Sequence, residues 1–277
     1  MPADRQPPLD PSHPSELTTR FAGVVRRSAP DRGLDEACAL VAAHFSVGAD
    51  PDGTDLVAVR SGLDDLARGV GDPSLRGVVD HLVAAGLGGD PSDYASPASS
   101  MLPAVVRRRR GLPILLAVVA VEVARRCEVP AAVVGMPGHV LVVGDDGLAD
   151  PFHRRSHLRP ADACDLFRRL HGASAPWDPS YLDPVGDAQV VARILANLAN
   201  RYRADRDHRR EAVALGLRSL VPGVGAEEQA ALASALARSG AFDRAATTME
   251  ALADAGGAGT DPEELRERAV RWRARLN

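Results

Sequence analysis

One short turn restricts this chain more than any other feature. Gly144-Asp145-Asp146-Gly147 separates the β-branched run Val140–Val143 from Leu148–Asp150, and a further run, Ala131–Val134, lies just upstream. The rest of the sequence is patterned mainly for helix. A two-residue turn between short alternating runs specifies a β-hairpin, and a hairpin fixes register. With Asp145 and Asp146 as the turn, opposed positions sum to 291, so Leu141 faces Asp150. His139 shares a face with Leu141, because strand side chains alternate with period two. His139 and Asp150 are therefore expected as diagonal neighbours within hydrogen-bond reach. A slip of one residue would part them.

On either side of this hairpin the period is helical. Leu34, Ala37, Cys38, Val41 and Ala42 fall at i, i+3, i+4, i+7 and i+8. Leu56, Val59, Leu63 and Leu66 predict a second helix, Val78 to Leu87 a third, and Met101 to Arg109 a short fourth. A helix from Pro113 to Arg126 follows, its proline suited to a first turn where the missing N–H is unpaired anyway. Beyond a Pro/Asp-rich stretch a repeat emerges: Leu198 and Leu232, Tyr202 and Leu236, and His208 and Phe242 are each 34 apart. That is the tetratricopeptide period of two helices per unit, and Pro262 to Leu276 would cap the stack. The division expected is a disordered tail at 1–15, an α+β domain with a helical N-terminal part at 16–175, a linker at 176–186 and all-α repeats at 187–277.

Composition narrows the function. Net charge is −4, which does not recruit nucleic acid. All 33 basic residues are arginine. Cys38, Cys127 and Cys164 are few, scattered and odd in number, which argues against a disulfide framework. The start of the chain lacks an apolar signal core, and the longest apolar stretch is interrupted by Glu122, Arg125 and Arg126. A cytoplasmic protein with no membrane segment is expected.

Five motifs carry a family resemblance: Ser100-Met-Leu, Arg109-Arg-Gly111-Leu-Pro113-Ile114, Val123-Ala-Arg-Arg, Pro137-Gly138-His139 and Asp150-Pro151-Phe152. Over roughly Leu34 to Leu252 the chain resembles the SirB-type family, bacterial proteins with a transglutaminase-like domain followed by tetratricopeptide-type helices. The resemblance implies a papain-like, transglutaminase-like α+β domain. In active members of that superfamily a catalytic cysteine begins the central helix, where backbone amides and the helix dipole favour its thiolate. Counting back from Val129-Pro130 puts Pro113 at that position. The chain departs from the family at Val140, where phenylalanine is usual, at Glu128, where glycine is usual, and at residues 153–156, which lack the usual glycines.

The candidate site then consists of His139 and Asp150 as an inherited base and orienter, with Arg109, Gly111, Pro113 and Pro137 as binding positions. Two readings stay open. In one, the loss of the cysteine leaves a non-catalytic protein that binds a peptide, a small ligand or a protein partner. In the other, an amide hydrolase or acyltransferase uses His139 and Asp150 with water or another nucleophile. Cys38 and Cys127 are expected in the core and Cys164 has no motif around it. Ser100 is expected to cap the helix after it. Arg107 to Arg110 read as a solvated helix end or an anion-binding wall, with Arg109 paired to an internal carboxylate as a further option. His139, His153 and His157 have neither helical spacing nor thiolate company, so neither metal nor cofactor is assigned.

Overall fold

The computed structural model describes residues 15–27, 33–46, 54–94, 96–256 and 261–276. Of the tail expected at 1–15, residues 1–14 lie outside them, and Ser15 is the N-cap of the first helix. The described residues group into two compact units: one from 33–43, 54–94 and 96–190, the other from 15–27, 44–46, 191–256 and 261–276. The division falls inside a single helix, α8 (Asp187–Ala204).

The first unit is α+β. Its helices are α2 (Leu34–Ala43), α3 (Thr54–Arg68), α4 (Leu75–Ala84), α5 (Leu102–Arg108), α6 (Pro113–Arg126) and α7 (Pro160–His171). Its strands are β1 (Ala131–Val134), β2 (Leu141–Gly144), β3 (Gly147–Asp150), β4 (Arg155–Leu158) and β5 (Pro184–Val185). They form one antiparallel sheet in the order β4-β3-β2-β1-β5. The hairpin register is the expected one: Val142 pairs with Ala149 and Val143 with Leu148. Two strands go beyond the sequence reading. Arg155–Leu158 returns as β4 where helix was expected, and Pro184–Val185, inside the Pro/Asp-rich stretch, pairs with β1.

Helix α6 is the centre of this unit. It packs on β1 and β2 and against α2, α3, α4 and α5, and every residue from Pro113 to Ala124 is buried. Complete burial explains why its sequence is apolar all round rather than striped. Each Leu, Ile or Val side chain removed from water there contributes about 1.5–3 kcal/mol. Polarity returns at the C-terminal end, where Arg126 bonds to Asp35 (2.9 Å), Asp64 (2.7 Å) and Glu122 (2.8 Å) and ties α6 to α2 and α3. On the sheet, Val134, Met136, Leu141, Leu148 and Leu158 pack with Leu166 and Phe167 of α7.

The second unit is helical: α1 (Glu16–Arg26), most of α8, α9 (His208–Arg218), α10 (Ala226–Arg238), α11 (Phe242–Ala255) and α12 (Pro262–Arg273). From α9 to α12 each helix packs on the next, and Ala233, Ala246, Met249, Leu252, Leu265 and Ala269 form a common core. Phe45 stacks on Tyr202 with ring centres 5.3 Å apart, which brings residues 44–46 into this unit. Among the described residues no helix is long and apolar enough to cross a membrane.

Candidate functional site

His139 and Asp150 meet. The His139 Nε2 atom lies 2.9 Å from Asp150 Oδ2, with both side chains buried. Local chain chemistry delivers each of them. Pro137-Gly138 forms a turn just ahead of β2, and Gly138 has φ +77°, a conformation that costs an L-side chain about 1–2 kcal/mol. A Cβ at Gly138 would also lie 2.8 Å from His171 Nε2. That ring nitrogen is 3.1 Å from the Pro137 carbonyl, which anchors the turn to α7. Asp150 closes β3, and its Oδ1 accepts the backbone N–H of His153 at 3.1 Å.

That second hydrogen bond marks a residue left unassigned by sequence. The His153 Nδ1 atom sits 2.6 Å from the same Asp150 Oδ2 that faces His139. Burial alone would raise the Asp150 carboxyl; the hydrogen bonds and charge of His139 and His153 outweigh it and hold the group below its ordinary value. The two imidazoles lie 5.0 Å apart, centre to centre. Phe152 meets both rings edge-on, and Tyr94 packs against Phe152. Burial and the Asp150 charge push the Tyr94 hydroxyl up. The signal for His153 was present as Asp-x-x-His across a turn, but neither helical nor strand periodicity connects those positions. The remaining histidine of that segment, His157, is exposed on β4 and outside the cluster.

The other candidates form a separate stretch at the start of α6. Pro113 is its first residue, and Leu112, which precedes it, offers no side-chain cap. The Leu112 carbonyl accepts from Leu115 and Leu116, both at 3.0 Å, and its own N–H donates to Ser99 at 2.9 Å. Gly111 is buried, and a Cβ there would lie 2.6 Å from Val105 Cγ2. Arg109 holds the left-handed position after α5, and its guanidinium donates to the Ala85 carbonyl, not to a carboxylate. Arg108 and Arg110 pair with Asp93 (2.5 Å) and Asp90 (3.2 Å), so those two guanidiniums are already engaged by carboxylates. Ser100 does not cap α5: it ends a 3-10 turn, and Met101 is the N-cap.

The thiols lie elsewhere. Cys38 is buried in α2, and burial followed by the charges of Glu122, Asp35 and Asp187 pushes it well up. Cys127 is the C-cap of α6, some 20 Å of helix away from Pro113, and burial raises it too. Cys164 is on α7.

Residues 63–196 match the transglutaminase-like superfamily. The transglutaminase-like segment thus contains α6, the whole sheet and the His139–Asp150–His153 cluster. The chain is also similar to UPF0162 proteins of two bacteria. It is 39% identical over 148 residues to one from Xylella fastidiosa strain Temecula1, covering 50% of this chain and 52% of the relative. It is 31% identical over 153 residues to one from Pseudomonas aeruginosa, covering 51% and 56%. The chain spans about half the length of these curated relatives. No solved structure matches it at a significant level.

Proposed function

We propose that this chain is a SirB-type transglutaminase-like protein that binds a peptide, a small ligand or a protein partner without acyl transfer. The observation that carries this reading is Pro113 as the buried first residue of α6. In an active member of the superfamily that position supplies the thiolate. A pyrrolidine ring has no nucleophile and no acidic proton. The consecutive packing of α9 to α12 and the 34-residue offset support a tetratricopeptide-type reading of residues 187–277 as a partner-binding surface. On this reading the protein acts in the cytoplasm, and Arg109, Gly111, Pro113 and Pro137 shape the binding cleft.

A second reading has its own observation. The 2.9 Å contact between His139 and Asp150 retains a base and its orienter, and such a pair can polarise a water for amide hydrolysis. One experiment separates the two. Purified chain is mixed with fluorescent glutamine-bearing peptides and a primary amine, and both anisotropy and ammonia release are followed. Saturable binding without ammonia is expected. Ammonia release that disappears in His139→Ala would replace the binding reading with the hydrolase.

A further inference from the structure

His139 Nε2, Asp150 Oδ2 and His153 Nδ1 converge on one point beside the sheet. We propose that these three atoms bind one divalent metal ion with zinc-like ligand preferences. The proposal goes beyond the peptide- or ligand-binding reading and does not depend on it.

Geometry is the first support. The three donor atoms lie within 4.8 Å of one another. Asp150 Oδ2 is 2.9 Å from one ring nitrogen and 2.6 Å from the other. Ligands about an ion with bonds of about 2.0–2.2 Å stand about 3–3.4 Å apart at ordinary coordination angles. An ion therefore needs Asp150 Oδ2 to draw back from each ring nitrogen by less than about 1 Å, within the reach of small χ rotations.

Donor chemistry is the second support. Two imidazoles and one carboxylate form the ligand set of open zinc and non-haem iron sites, which leave further positions for water. Among the described residues the grouped donors are these two imidazoles and one carboxylate. Supporting contacts are already in place: the His153 N–H fixes Asp150 Oδ1, and Phe152 packs edge-on against both rings. Access is the third support. His139 and Asp150 are buried at 4% and 1% side-chain exposure, whereas His153 is 47% exposed. The ion would approach past His153, and its open positions would face the same way.

The test uses the full chain without an affinity tag, stripped with a chelator and dialysed. Zinc is titrated by calorimetry, and cobalt(II) is followed by visible absorption. One zinc per chain is expected, together with cobalt bands that zinc displaces. His153→Gln alters a half-exposed side chain and should keep the far-ultraviolet circular dichroism of the parent. It should weaken zinc binding at least tenfold. His157→Gln changes a nearby exposed imidazole outside the cluster and should leave binding unchanged. Zinc should raise the melting temperature of the parent and of His157→Gln, but not that of His153→Gln. Absence of stoichiometric binding in the parent, or equal affinity in His153→Gln, would overturn the site and leave a hydrogen-bonded His-Asp-His cluster. Peptide anisotropy on the stripped protein reads the binding function separately, so either idea can fail alone.

Discussion

Asp150 in the α+β unit and Glu211 in the helical unit are both buried carboxylates, and their neighbours differ in kind. Glu211 is 0% exposed and takes Arg203 (2.7 Å), Arg238 (2.8 Å) and His208 (3.0 Å). Asp150 meets two imidazoles, with His139 buried beside it, and accepts one backbone N–H from His153. Guanidinium is always charged and has no lone pair to offer, so the Glu211 cluster can do little except hold α8, α9 and α10 together. Imidazole can donate, accept, titrate or ligate. Equal burial thus supports a structural pin in one unit and a site with chemical options in the other. The second half of that contrast is the one open to experiment.

The largest effect is expected at the pin. Glu211→Leu leaves two guanidiniums without a partner. Breaking a buried ion pair costs about 3–5 kcal/mol, and the lower end applies because both arginines reach solvent. Urea unfolding of the full chain measures it, and a loss below about 1 kcal/mol would remove the contrast. The same pin predicts an acid limb. Burial favours a raised Glu211 carboxyl, but hydrogen bonds from Arg203 and His208 and the charge of Arg238 hold it below its usual value. A lowered carboxylate pKa contributes stability that is complete above the unfolded value of about 4.3 and fades as pH falls through the folded one. Glu211→Gln should flatten the stability profile in that acid window while changing its slope little above about pH 6.

Asp150→Asn comes next, at about 1–2 kcal/mol, because the amide oxygen can still accept part of the hydrogen bonding. If it destabilises as much as Glu211→Leu, Asp150 is a pin as well. Pro113→Cys is expected to cost on the order of 1 kcal/mol or less, since an N1 proline supplies preorganisation and no hydrogen bond. The new thiol should titrate below about 8.5, as helix N-termini favour thiolates. Thiolate absorbance against pH checks this, alone and with His139→Ala. A normal thiol indifferent to His139 would mean that Pro113 does not occupy the nucleophile position. The smallest effect is expected at Arg109→Gly, which relieves a left-handed backbone and gives up one bond to Ala85. The net change should stay within about 0.5 kcal/mol by urea unfolding.

Much of the α+β unit was legible because local rules there agree with the tertiary outcome. Pro113 to Arg126 forms the expected helix, and the Gly144–Gly147 turn sets the observed register. β4 was missed because Arg-Ser-His-Leu has no strand alternation of its own; pairing with β3 makes it a strand. β5 was missed because a two-residue strand starting at proline reads as linker, and only the unpaired edge of β1 recruits it. His139 and Asp150 could be brought together on paper because a single tight turn connects their strands.

Sequence alone therefore determined the central helix with Pro113 at its start, the hairpin and the His139–Asp150 juxtaposition. Each depends on residues close together in the chain, where period and turn chemistry act directly. Tertiary structure alone decided that His153 joins the same carboxylate, that Arg109 faces a carbonyl and that Glu211 collects two arginines from flanking helices. Those outcomes depend on which backbone segments come within about 3 Å of each other. Packing sets such distances, and no local periodicity encodes them.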